Sequence, residues 1–268
     1  MIGVFDSRLG GLTALAELRR LLPDADLLYF GDTARVPYGS RSNAIITRYA
    51  QDIINYLLGR GCDRILAACG TVSTVALPAL RKNCPVPLSG IVEAACDAAC
   101  RATKSGRIGV VATAASIRSG VYPREIGARL SGAEVTQNAC PLLVPLVEGG
   151  FVARNCEITH LAVREYLTPI REAGCDTLLL GCTHYPLIRS TIREVMGEKV
   201  RLVNPAYETA LELKNLLQKT NMLSTGQQEE EFPYRFYVSD LADEFKEFAN
   251  SILPYDVEMT KKIDIEKY

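Results

Sequence analysis

The chain has 268 residues, 48% of them apolar and 23% charged, the proportions of a soluble globular protein built as one large domain or two ordinary ones. Thirty basic residues stand against 31 acidic ones, for a net charge of −1, so no basic surplus points to nucleic acid, and no run of eighteen apolar residues is present to cross a membrane. An odd count of nine cysteines, and an opening MIGVFDS without the regions of a signal peptide, predict a cytoplasmic protein whose thiols are reduced and mostly small buried hydrophobes.

In chain order, the apolar run IGVF (2–5) predicts a first strand. It ends in Asp6-Ser7 and leads into Arg8-Leu9-Gly10-Gly11, where a glycine pair lets backbone approach a ligand. Ordinary strand-to-helix turns use the same residues, so this signal is weak alone. Leu12 to Leu22 has apolar residues three and four apart and reads as a helix. A strand LLYF (27–30) follows, then Pro37-Tyr38-Gly39-Ser40, which by itself is a structural turn. The helix-like segment Ile45 to Leu58 precedes a strand RILAAC (64–69) that ends on Cys69, before Gly70-Thr71. After the turn-rich NCPVPLSG, a domain boundary is expected near Glu93 to Arg101.

RIGVVAT (107–113) is the next strand, and PLLVPLV (141–147) leads to Glu148, which reads as a surface carboxylate. His160 lies in a helix-like segment with no obvious partner and reads as structural. TLLLGC (177–182) delivers Cys182, followed by Thr183-His184. A strand VRLV (200–203) precedes a second boundary near Asn204-Pro205. The helix Tyr207 to Lys219 and the tail RFYVSD (235–240) are too short for a third unit and are expected to pack onto the first half. The stretch 224–228 reads as a flexible loop and Glu229-Glu230-Glu231 as a solvated one.

Strands alternating with helices argue for an α/β fold with mainly parallel sheet, whose ligands sit beyond the carboxyl ends of the strands. The sequence also repeats. GCDRILAACGT (61–71) returns as GCDTLLLGCTH (174–184), and IGVFDS (2–7) as IGVVAT (108–113). Two similar, pseudo-symmetric domains follow, each a mainly parallel sheet flanked by helices: 1–95 plus 208–268 carrying Cys69, and 96–207 carrying Cys182. The active site is expected in the cleft between them.

A strand-end thiol near a helix N-terminus is poised for proton transfer or nucleophilic attack. Cys62 and Cys175 repeat as faithfully but precede their strands, so packing suffices for them. Metal is not expected: there are two histidines and no C-x₂-C pair, and the dinucleotide and P-loop patterns are absent.

The stretches IGVFDS-x-x-GGL, YFGDTARVPYGS (29–40), VPLVE (144–148), GCTHYPL (181–187) and FYVSD (236–240), with the cysteine strand at 64–71, resemble glutamate racemases of the cofactor-independent aspartate/glutamate racemase superfamily nearly end to end. The resemblance implies that Cys69 and Cys182 exchange acid and base roles on opposite faces of glutamate, without a cofactor, to supply D-glutamate for peptidoglycan. It implies that Asp6 and Ser7 face the substrate ammonium and tune Cys69, with His184 and Glu148 as the matching pair near Cys182. Pro37, Tyr38, Gly39 and Ser40 would hold substrate, Thr71 and Thr183 would bind its carboxylate, and Gly70 and Ser116 would line the pocket, Ser116 replacing a usual threonine. A homodimer is the family's common assembly.

Two positions depart from the family. Gly70 replaces the asparagine of C-N-T and removes an amide that would donate to substrate, and Arg8 replaces the first glycine of D-S-G-x-G-G. Altered substrate or weakened activity therefore stays open. So do a cysteine hydrolase using Cys182 and His184 and a non-catalytic amino-acid-binding protein.

Overall fold

The computed structural model describes residues 1–219, 234–240, 242–253, 257 and 260–268. The expected loops at 224–228 and 229–231 lie outside these residues. In chain order the elements are β1 (Ile2–Asp6), α1 (Leu12–Leu21), β2 (Leu27–Gly31), α2 (Asn43–Gly59), β3 (Arg64–Ala67), α3 (Gly70–Val75), α4 (Leu77–Leu80), β4 (Leu88–Gly90) and α5 (Val92–Ala102). They continue with β5 (Arg107–Ala112), α6 (Ala114–Arg118), α7 (Val121–Arg129), β6 (Glu134–Ala139), α8 (Leu143–Glu148), α9 (Glu157–Glu172), β7 (Thr177–Leu180), α10 (Arg189–Met196) and β8 (Arg201–Val203). The last are α11 (Pro205–Lys219), β9 (Tyr234–Val238), α12 (Ala242–Ile252) and β10 (Thr260–Lys262).

Two parallel sheets result, in the orders β10-β9-β2-β1-β3-β4 and β6-β5-β7-β8. Strand for strand, β2-β1-β3-β4 corresponds to β6-β5-β7-β8, which is the sequence repeat in three dimensions. Strands β1 and β2 are buried along their whole length, as a sheet covered on both faces requires. Val4, Tyr29 and Leu66 pack with α1, α11 and Phe245 on one face. Phe5, Phe30 and Ile65 pack with Ile46, Ile53 and Leu57 of α2 on the other. The second sheet is enclosed by α9 and α10 on one side and by α5 and α7 on the other.

Each Gly-Cys-Asp phrase serves the same local purpose. Gly61 and Gly174 have φ of 82° and 64°, the left-handed conformation that ends α2 and α9. The aspartate amide then bonds to the backbone at the start of the central strand, Asp63 to Met1 and Asp176 to Arg107. Cys62 and Cys175 pack at the glycine of that strand: a Cβ on Gly3 would lie 3.0 Å from Cys62 Sγ, and one on Gly109 would lie 3.6 Å from Cys175 Cβ.

Several elements differ from the sequence expectation. Residues 93–101 lie within α5, a helix packed on α7 and α11. Part of the turn-rich NCPVPLSG forms β4. The polar run Glu134–Ala139 forms β6, an edge strand paired only with β5 and partly exposed throughout, so it lacks the apolar alternation that identifies strands. His160 has a neighbour after all, with Nδ1 3.9 Å from Glu194. Helix α11 packs along α1, and β9 pairs with β2.

Candidate active site

The strands that carry the two thiols end early. β3 stops at Ala67 and β7 at Leu180, leaving Cys69 and Cys182 in the loops beyond. These loops face each other. A Cβ on Gly70 would lie 2.4 Å from the carbonyl oxygen of Gly181 and 3.8 Å from Cys182 Cα.

Cys69 caps α3 and is 4% exposed. Its Sγ lies 3.3 Å from the Ser7 hydroxyl. Burial pushes the thiol well above its ordinary range, and the nearby Asp6 charge pushes the same way. The Ser7 hydroxyl and the amides of Val72 and Ser7 oppose this without overcoming it. Cys69 therefore holds its proton at rest. Asp6 is turned into its own loop: Oδ1 accepts the Ser7 amide at 2.7 Å, and Oδ2 accepts the Gly11 amide. Thr183 reaches across to donate to Asp6 Oδ2 at 3.4 Å, and Thr13 donates to the Thr183 carbonyl at 2.9 Å.

Cys182 has different neighbours. His184 Nδ1 is 3.6 Å from its Sγ, and His184 Nε2 is 3.0 Å from Glu148 Oε1. The other carboxylate oxygen of Glu148 accepts from Arg8 Nη1. Glu148 is thus not the surface carboxylate that its flanking sequence suggests; its side chain is 9% exposed. Burial opposes a charge on His184, but hydrogen bonds to Cys182 and Glu148, and their charges, raise it to about 10. The imidazole is protonated at neutral pH.

A row of hydroxyls links α3 to the loop after β5. Thr71 Oγ1 is 3.0 Å from Thr113 Oγ1, Thr113 donates to Ser116 at 3.0 Å, and Thr74 donates to Ser116 at 3.2 Å. Thr113 also caps α6 by accepting the Ser116 amide. Thr113 and Thr13 are not among the residues that the sequence motifs single out. The repeat itself held the signal for the first, since aligning IGVFDS with IGVVAT sets Thr113 opposite Ser7.

The loop Pro37–Ser40 contributes unevenly. The Val36–Pro37 peptide is cis. Tyr38 is buried and donates its hydroxyl to Asp32, which also accepts from Arg35 Nε and Ser239 Oγ, both at 2.8 Å. Burial raises Asp32, and these three partners hold it in check. Much of GDTARVPYG thus builds an internal buttress. Gly39 lies against Thr113, whereas Pro37 and Ser40 are exposed. Gly70, Thr71, Ser116, Thr183, His184, Glu148, Asp6 and Ser7 are brought together with the thiols. Among the described residues no group of three histidine, cysteine or acidic side chains could hold a metal ion.

The arrangement supplies two thiols on facing walls. One lies beside a Ser–Asp loop and the other beside a His–Glu pair, so each has its own polar neighbours.

Residues 13–213 match the sequence profile of the Asp/Glu/Hydantoin racemase family. The glutamate racemase of Geobacter metallireducens is 43% identical over 252 residues, which covers 94% of this chain and 92% of that one. That of Persephonella marina is 40% identical over 266 residues, covering 99% and 98%. Among solved structures, the Francisella tularensis glutamate racemase in complex with D-glutamate superposes with a TM-score of 0.91 at 33% identity, covering 100% of this chain and 98% of that one. A Bacillus anthracis glutamate racemase isoform gives 0.93 at 32% identity, covering 98% and 97%.

Proposed function

The chain belongs to the Asp/Glu/Hydantoin racemase family, and on that premise we propose that it interconverts L- and D-glutamate with Cys69 and Cys182 as its two acid–base groups. The observation that carries this reading is the placement of the two thiols beyond equivalent strands, on opposing loops, each with separate polar partners. A thiolate on one wall takes the α-proton, leaving its electron pair on the α-carbon. The thiol on the other wall then gives its proton to the opposite face, and the two sulfurs end with their protonation states exchanged.

His184 carries a positive charge beside Cys182, and Cys69 holds the proton to be delivered. In this scheme the carbanion-like state at the α-carbon is stabilised by preorganised donors with water excluded, a part the reading gives to Thr71 and Thr183. No cofactor takes part in this scheme. The same reading makes the protein a cytoplasmic homodimer that supplies D-glutamate for peptidoglycan. A hydrolase using Cys182 and His184 would give Cys69, Ser7 and Asp6 no task.

The test is loss of circular dichroism from L- and from D-glutamate by the purified protein without added cofactor, run in D₂O. Deuterium should enter the α-carbon of the product. Exchange without inversion, or inversion without solvent deuterium, would sink the two-base scheme. Running aspartate alongside decides whether Gly70 and Arg8 have moved the substrate preference.

A further inference from the structure

Arg8 joins the two walls through the charge chain at the thiols. It sits in the loop after β1, on the Cys69 side, and reaches Glu148 at the end of α8, on the Cys182 side, 140 residues away. Glu148 divides its oxygens: Oε2 takes the Arg8 guanidinium and Oε1 takes His184 Nε2, whose other nitrogen faces Cys182 Sγ.

We propose that Arg8 is a positioning residue that latches the closed cleft and tempers the hold of Glu148 on the His184 proton, and so sets how readily Cys182 exchanges a proton with substrate. Three observations support this. The Arg8 side chain is 34% exposed, but Glu148 is 9% and His184 5% exposed, so the carboxylate meets His184 where solvent screens little. With Arg8 in place, the negative charge of Glu148 is shared between two cations. Without Arg8 it acts on the imidazolium alone, and Oε2 loses its partner. Finally, the pair spans the two walls, so it forms only when the walls meet. Closure and the proton balance at Cys182 are thereby linked.

Among the described residues, the charged and titratable groups around His184 are few. Cys182 and Glu148 touch it, Arg8 lies behind Glu148, and Asp6 lies beyond the Thr183 hydroxyl. The buried phenols of Tyr122 and Tyr185 and the thiol of Cys140 lie within electrostatic reach of Cys182. Among these, Arg8 is the only permanent cation.

The proposal deepens the racemase reading, and its kinetic consequences rest on that reading; its direct test does not. The chain contains two histidines, so imidazole NMR gives two sets of signals, assigned with His160→Gln. In Arg8→Met and in Arg8→Gln the His184 titration should move upward, on the order of half a pH unit or more, while His160 stays fixed. Arg8→Lys should restore most of the wild-type value. An unchanged or lowered His184 titration in both neutral variants, or an equal shift at His160, overturns the proposal even if the enzyme is a racemase.

In kinetics, kcat/KM should fall several-fold and equally from both enantiomers, because enantiomers have equal energy in water. The deuterium isotope effect from α-deuterated glutamate should change in opposite senses in the two directions, since only the Cys182 step is slowed. Isotope effects that change in the same sense in both directions would also count against it. Loss of racemisation with an unmoved His184 titration would leave the racemase reading intact and refute the role given to Arg8.

Discussion

Gly70 and Gly181 meet across the cleft with no room for a side chain between them: a Cβ on Gly70 would sit 2.4 Å from the Gly181 carbonyl oxygen. A backbone oxygen cannot swing aside as the end of a flexible side chain can, so any larger residue at 70 must hold the walls apart. The sequence presents Gly70 as a lost substrate-binding amide. The structure presents it as the point that lets the walls close this far. Gly70→Asn is therefore expected to impair this enzyme rather than improve it, raising KM or lowering kcat, and Gly70→Ala should do the same. Small-angle scattering should show either variant with a larger radius of gyration than wild type. Unchanged kinetics and dimensions in both would show that closure does not depend on this contact.

Nine free cysteines divide by position rather than by type. Cys69→Ala and Cys182→Ala should each abolish racemisation while the protein stays folded. Cys62→Ala and Cys175→Ala remove packing against the central strands at Gly3 and Gly109. They should keep racemisation near wild type and cost about 1–2 kcal/mol in urea unfolding. Activity in either member of the first pair, or loss of activity in a stable member of the second, would contradict the assignment.

The raised His184 titration, to about 10, makes a signed statement about stability. An unfolded histidine titrates near ~6.5, so from there to about pH 10 the native state binds one more proton than the unfolded state. Stability from this group is complete below ~6.5 and is lost as pH rises through about 10, at close to ~1.4 kcal/mol per pH unit where the difference is a full proton. Buried Cys69 contributes with the same sign once unfolded thiols ionise, but it is common to both proteins when wild type is compared with His184→Gln. Urea unfolding at pH 7, 8 and 9 should show wild type losing stability faster than the variant. Parallel curves would place the proton elsewhere.

Thr71 and Thr113 join the two walls through their hydroxyls at 3.0 Å. Thr113→Ala removes both this bond and the cap on α6, and should cost about 1–2 kcal/mol. Thr71→Ala should cost less. A double-mutant cycle is expected to give a coupling of about 0.5–1.5 kcal/mol. Full additivity would mean that the hydroxyls do not support each other in solution.

How far the chain could be read depended on the range of the pattern. The continuous apolar runs of β1, β2 and β3 and the helical spacing of α1 and α2 are local, and the burial of those elements follows them. β6 is hard to see in the sequence because an edge strand that is only partly buried needs no continuous apolar run. The repeat made both thiols stand out, yet it could not separate Cys69 from Cys62. That distinction follows from which edge of the sheet each occupies.

The sequence by itself determined an α/β chain with two equivalent halves, a thiol at the end of an equivalent strand in each, and a family resemblance along nearly its whole length. Backbone propensity and hydrophobic period act over a few residues, and a duplicated pattern is visible without any coordinates. The tertiary structure alone decided that Glu148 is buried between Arg8 and His184, that Tyr38 faces Asp32, and that Gly70 abuts Gly181. Arg8 and Glu148 are 140 residues apart, and Thr71 and Thr113 are 42 apart. No periodic pattern relates such positions, because their meeting depends on how two packed sheets turn their strand ends toward each other.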